Sequence, residues 1–227
     1  MSIIDKTDSA ISKWSFPLLL CFLVCCMVAA IELKFPYFFL QDENRVQHLP
    51  LYFHNLRALM DGEFPLFNFH QFLGIRVGIQ NAAFYPFNYL GLLFSSLFLG
   101  HYQGAMEFLA LIHLLIAGLG FFYMLRSFDL GDSSCLFGAF AYAASGYLVT
   151  FGNSWIPVLE CASYLPWIIM YGIRLSNTGG FATCMILVVL RVLLLVVGYP
   201  QMYVYIATFE IITVFSLMIA NRISHDA

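Results

Sequence analysis

Charge is what this sequence has least of. Its 227 residues include 10 Lys and Arg and 13 Asp and Glu, for a net charge of −3. That is too little charge, too thinly spread, to cover a soluble surface. The small, thinly spread net charge points to no nucleic acid or anionic surface, so no nucleic-acid partner is expected. Paired cysteines are also missing. Cys21, Cys25, Cys26, Cys135, Cys161 and Cys184 fall within or beside apolar segments, so they read as small apolar packers and not as a disulfide framework or a metal site. His48, His54 and His70 share one polar loop, yet no two of them have the His-x-x-x-His spacing of a tight helical metal site. No internal repeat relates the two halves, which weighs against the repeat architecture of many transporters.

What is present is apolar: 61% of residues are hydrophobic and 18% aromatic, with a mean hydropathy of +0.83. This is the composition of an all-α polytopic membrane protein. Apolar runs long enough to span, about 20 residues each, are expected at 15–39, 105–125, 135–152, 157–175, 181–198 and 201–220. The first is too long for a signal-peptide core and lacks a small-x-small cleavage site, so it reads as a retained anchor. The run "FYPFNYLGLLFSSLFLG", 84–100, carries Pro86, Asn88 and two glycines. If it lies in the interface or re-enters without crossing, Lys6, Lys13, Arg126, Arg174 and Arg222 collect on one side, as the positive-inside rule requires. Six spans with both termini cytoplasmic follow.

That topology sends three polar elements to the outer face: the loop 40–104, the turn "FGNSWIPVLE" and the turn "GYPQ". Within the loop, Pro50 suits a first helical turn, Leu49, Tyr52, Phe53, Leu56, Leu59 and Met60 recur at helical spacing, and Gly62 stops the run. The pattern predicts an amphipathic interfacial helix. "GEFPLFNFHQFLG" reads as a turn and a short aromatic-rich segment. A loop this long inside a compact protein is usually functional. His113, in mid-span, reads as a satisfied residue of the bundle interior. Trp155, Tyr164 and Trp167 suit an interfacial belt, with stacking on a sugar ring as the alternative. Arg191 and Glu210 lie inside apolar runs, where charge is costly, so they read either as an ion pair or, for Arg191, as a phosphate contact.

The order of an acidic residue, Gln47 and Pro50, then "LRALMDGEFPLFN", "QN" and "FYPFN", resembles the first outer loop of YfhO-like bacterial membrane proteins, within the GT-C superfamily of polyprenyl-phosphate-dependent glycosyltransferases. "AYAASGYLVTFGNSWIPVLECASYLPW" and "VVGYPQMYVY" extend the similarity from about residue 36 onward. Phe67, Ile75-Arg76, the residues after Asn81, and Tyr199 depart from the family pattern. The resemblance implies a single GT-C-like module over 1–227, the amino-terminal part of a longer protein, completed by a carboxy-terminal segment or a partner subunit. It implies transfer of a sugar from a polyprenyl-phosphate carrier to an acceptor outside a bacterial cytoplasmic membrane. Asp42 and Glu43 are jointly the implied general base, since Glu43 keeps the spacing to Gln47 and Asp42 the usual side-chain type. Substrate contacts are implied for Gln47, Asn68, Asn81, Tyr85 and Gln201, with Glu160 as a second carboxylate. The leaving phosphate calls for a cation: Arg45, Arg57, Arg76 or Arg191, or a divalent ion such as Mg or Mn. A transporter of small molecules or ions, or an inactive truncated scaffold, is the alternative function.

Overall fold

The computed structural model describes residues 3–68, 75–76 and 82–225. Helices make up nearly all of it. They are α1 (Ile3–Lys34), α2 (Leu49–Met60), α3 (Pro86–Leu99), α4 (Ala105–Arg126), α5 (Asp132–Ala143), α6 (Gly146–Ser154), α7 (Ile156–Thr178), α8 (Phe181–Val196) and α9 (Pro200–His225). A π-helical turn, Asn44–His48, leads into α2. β1 (Phe67–Asn68) and β2 (Ile75–Arg76) form a small antiparallel hairpin, with Phe67 opposite Arg76 and Asn68 opposite Ile75.

Five helical stretches are long and apolar enough to cross a membrane: Trp14–Lys34, Ala105–Arg126, Asp132–Ser154, Ile156–Thr178 and Pro200–Leu217. The protein is therefore a helical membrane protein in contact with a lipid bilayer. This corrects the expectation of six such helices, because α8 has only 16 residues. At about 1.5 Å per residue it is roughly 24 Å long, yet it returns the chain to the end of the bundle where α7 begins, since Tyr199 sits 6.1 Å from Trp155 between ring centroids. The first span is shorter than expected. Pro36 disfavours helix at Phe35, and the Glu32 carboxylate accepts from the Tyr37 and Phe38 amides at 2.9 and 3.2 Å, which ends α1 at Lys34. The expected span 135–152 is broken at Ala144–Ser145, where Ser145 caps α6 by accepting from the Leu148 amide at 3.4 Å. The 14-residue α3 is too short to span. α2 matches its expected bounds, followed by Gly62 at φ +77°.

Packing is decided by small residues, because apolar outward faces gain nothing from leaving lipid for protein. α4 and α7 form the central pair, and α1 lays Leu20, Val24 and Val28 against it while Leu18 and Phe22 face outward. A Cβ on Gly118 would stand 3.5 Å from the Ala143 Cβ and 3.6 Å from Leu20, so the α1, α4 and α5 backbones approach closely there. Gly120 leaves room for the Trp167 indole, whose N–H donates to the Ile116 carbonyl at 2.9 Å.

Candidate functional site at one end of the bundle

The start of the long loop after α1 is fixed to the α6–α7 junction by one buried amide. Asn44 is fully buried, and its Nδ2 donates to the carbonyls of Phe39 (2.9 Å), Gly152 (2.8 Å) and Asn153 (3.1 Å). Its Oδ1 accepts from the Ile156 amide at 2.8 Å, which satisfies an otherwise orphan N–H at the start of α7. Asn153 answers by donating to the Phe38 carbonyl and accepting from the Gln41 amide. Glu107 on α4 accepts from the Phe39 amide at 3.1 Å.

This clamp sends the two adjacent carboxylates in different directions. Asp42 has φ +41°, a left-handed conformation that Asp tolerates better than most residues, and its Oδ2 accepts from the Ser154 hydroxyl at 2.8 Å. Glu43 instead lines a cavity of about 300 Å³. Gln47 and His48 join it from the loop, Trp155, Pro157 and Val158 from the α6–α7 junction, Val197, Gly198 and Tyr199 from the α8–α9 turn, and Leu51, Tyr52 and Ala82 complete the wall. The three polar elements expected on one face do meet there. Trp155 and Tyr199 form a tilted aromatic pair at 56°. Burial pushes the His48 imidazole down to about 4, so it is neutral at pH 7. Burial also raises the Tyr52 hydroxyl well above the usual tyrosine range, with the nearby Glu160 carboxyl adding to the rise.

Below the cavity lies a closed set of hydrogen bonds. His113 Nδ1 is 2.7 Å from the Leu109 carbonyl, which can only accept, so that nitrogen carries the proton. Its Nε2 then accepts from the Tyr85 hydroxyl at 2.5 Å, and Tyr85 accepts in turn from the Tyr164 hydroxyl at 2.7 Å. Tyr85, expected to touch substrate, is fully buried in this set, and His113 is the satisfied interior residue that its mid-span position implied. Tyr164 belongs to the core and not to an interfacial belt. Glu160 is fully buried one turn before Tyr164, and neither of its carboxylate oxygens has a hydrogen-bond partner among the described residues.

The remaining candidates scatter. Arg45 lines a neighbouring groove of about 730 Å³ with Gln41, Tyr37 and His101, on the other side of the 41–48 turn from Glu43. Arg57 is exposed, Asn68 is buried, and Gln201 donates to the Tyr205 hydroxyl at 2.7 Å. Arg76 is described only in its backbone pairing with Phe67, and Asn81 and His70 lie outside the described residues. Arg191 pairs with Glu210 at 2.6 Å and lines a separate crevice with Gly172 and Ser176. Among the described residues no three His, Cys, Asp or Glu side chains are grouped to hold a metal ion. Glu43, Gln47 and His48 therefore do not fit a divalent cation held by the protein alone. Asn44, Ser154 and Tyr199 were not singled out from the sequence as site residues, and only the position of Asn44 directly after the acidic pair hinted at a role.

Comparison with protein-family models, with curated proteins and with solved structures finds no match to this chain. The fold and composition establish a multi-span helical membrane protein.

Proposed function

We propose that the chain is a GT-C-like membrane glycosyltransferase module in which Glu43 is the general base. The observation that carries this reading is the outer cavity itself, where one carboxylate, an amide and a neutral imidazole face an aromatic pair. Carboxylate and amide groups bind sugar hydroxyls, and aromatic faces such as Trp155 and Tyr199 cover the apolar face of a pyranose. Glu43 takes the acceptor hydroxyl proton as that oxygen attacks the anomeric carbon. The bond to the lipid phosphate breaks with inversion. Arg45, in the groove on the opposite side of the same turn, meets the departing phosphate. Asp42 positions the turn through Ser154 and does not act as the base.

The test is transfer of radiolabel from a panel of polyprenyl-phosphate sugars in membranes containing the chain. Glu43→Gln is expected to lower transfer by about 100-fold or more, the usual scale for loss of a general base, and Asp42→Asn by only a few-fold. Undiminished transfer in Glu43→Gln overturns the assignment. A transporter is the second reading, favoured by the unpartnered Glu160 carboxylate beneath the cavity. Accumulation of labelled solute in vesicles without covalent transfer selects it.

A further inference from the structure

Glu160 poses a problem that the outer cavity does not solve. It is fully buried, within the first two turns of α7, and both carboxylate oxygens lack a hydrogen-bond partner among the described residues. The polar groups around it are already committed. Ser163 donates to the Glu160 backbone carbonyl at 2.7 Å and not to the side chain. Tyr85, Tyr164 and His113 satisfy one another. Among the described residues Glu160 has no ion pair with any Arg, Lys or His. An isolated buried carboxylate is among the costliest groups a fold can hold, so a positive charge or a proton has to meet it.

Two further buried side chains share its condition. The Tyr52 hydroxyl and both amide atoms of Asn88 are buried without an aligned hydrogen bond. Asn88 stands beside the Tyr52 hydroxyl, and Tyr52 lines the cavity together with Pro157, one turn before Glu160 on α7, whose carboxylate acts on the same hydroxyl. These side chains come from three elements, α2, α3 and α7, and together they offer a carboxylate, a phenol oxygen and an amide carbonyl. All three are hard oxygen donors, the set that alkali and alkaline-earth cations select over transition metals. A single carboxylate balances a single positive charge. A divalent ion would leave an uncompensated charge in a low-dielectric interior.

We propose that Glu160, Tyr52 and Asn88 bind a small monovalent cation of the Na⁺ class, reached from the outer cavity that Tyr52 also lines. The site is separate from Glu43 and does not rest on the sugar-transfer reading. A bound ion would tie α2 and α3 of the outer loop to α7 of the bundle, so its occupancy sets how firmly the cavity wall is held.

The test is thermal unfolding of the purified full chain in detergent, followed by tryptophan fluorescence, with NaCl exchanged for choline chloride at fixed pH and ionic strength. A ligand that binds only the folded state stabilises it in proportion to the logarithm of its concentration. The unfolding midpoint of the wild type is therefore expected to rise by several degrees between about 1 and about 100 mM Na⁺. It should stay flat in Glu160→Gln and shift its half-effect to higher Na⁺ in Tyr52→Phe. Equilibrium binding of ²²Na⁺ to the wild type, expected at one ion per chain, gives a readout that does not depend on either variant folding. A wild-type midpoint indifferent to Na⁺ overturns the proposal and leaves Glu160 a protonated structural acid. A shift that choline reproduces, or one that survives Glu160→Gln, also overturns it.

Discussion

The two ends of polar chemistry in this bundle handle charge differently. On α8 and α9, Arg191 and Glu210 meet at 2.6 Å, and each neutralises the other inside a crevice lined by Gly172, Leu187 and Ile211. At the outer junction the fixing interactions come from a neutral side chain, Asn44, which bonds to backbone on both sides of the gap. Glu43 is thereby held in a cavity with no ion-pair partner among the described residues. Paired charges stabilise a helix contact, whereas an uncommitted carboxylate over a cavity is available to a ligand. That difference is why the proposed reading rests on Glu43 and not on Arg191.

The contrast can be broken at the clamp first. Asn44→Ala leaves the Ile156 amide and the Phe39 and Gly152 carbonyls without this partner, while the Asn153 carbonyl keeps the Gln41 amide, and a loss on the order of 3 kcal/mol in stability is expected from the unmade bonds. Chemical unfolding in detergent measures it. A loss below about 1 kcal/mol would show that the loop is not held through Asn44. His48 probes the cavity wall. Its folded-state value of about 4 lies below the ordinary 6.5, so its stabilisation is complete above pH 6.5 and falls away as pH drops toward 4. Allowing for the partly exposed ring, the loss by pH 4 is on the order of 2 kcal/mol. His48→Gln should flatten that slope in a pH series of melting curves.

The ion pair supplies the counter-test. Glu210→Gln strands Arg191 and is expected to cost about 1 to 2 kcal/mol, less than for a fully buried pair because Arg191 is 46% exposed. The Arg191→Met, Glu210→Leu double variant should return to within about 1 kcal/mol of wild type, since removing both charges removes the need for pairing. Transfer activity should survive in the double variant. Gly120→Ala, in the core between the two regions, drives a Cβ into the Trp167 indole. It should lower stability by about 1 kcal/mol through overpacking, with a red shift in tryptophan emission.

Several features were legible because they depend on local pattern. The spacing from Leu49 to Met60 and the stop at Gly62 gave α2 its bounds, since an amphipathic helix carries one apolar stripe and ends at a breaker. The convergence of three polar segments on one cavity followed from alternating spans. The break at Ala144–Ser145 did not show, because "AASG" is apolar enough to pass as continuous helix. The separation of Asp42 from Glu43 was also hidden. It depends on a left-handed φ at Asp42 and on Ser154, which lies 112 residues away in sequence.

The sequence by itself determined that this protein lives in a bilayer, that three polar segments gather at one end of the bundle and that a carboxylate pair opens the long loop after the first span. Composition and periodicity suffice for that, because lipid admits only runs of apolar helix. Only the tertiary structure decided which carboxylate faces the cavity, that Arg191 is paired, and that Glu160, Tyr52 and Asn88 are buried with unmet polar atoms. Those outcomes rest on distances between elements far apart in the chain, which packing fixes and no local pattern encodes.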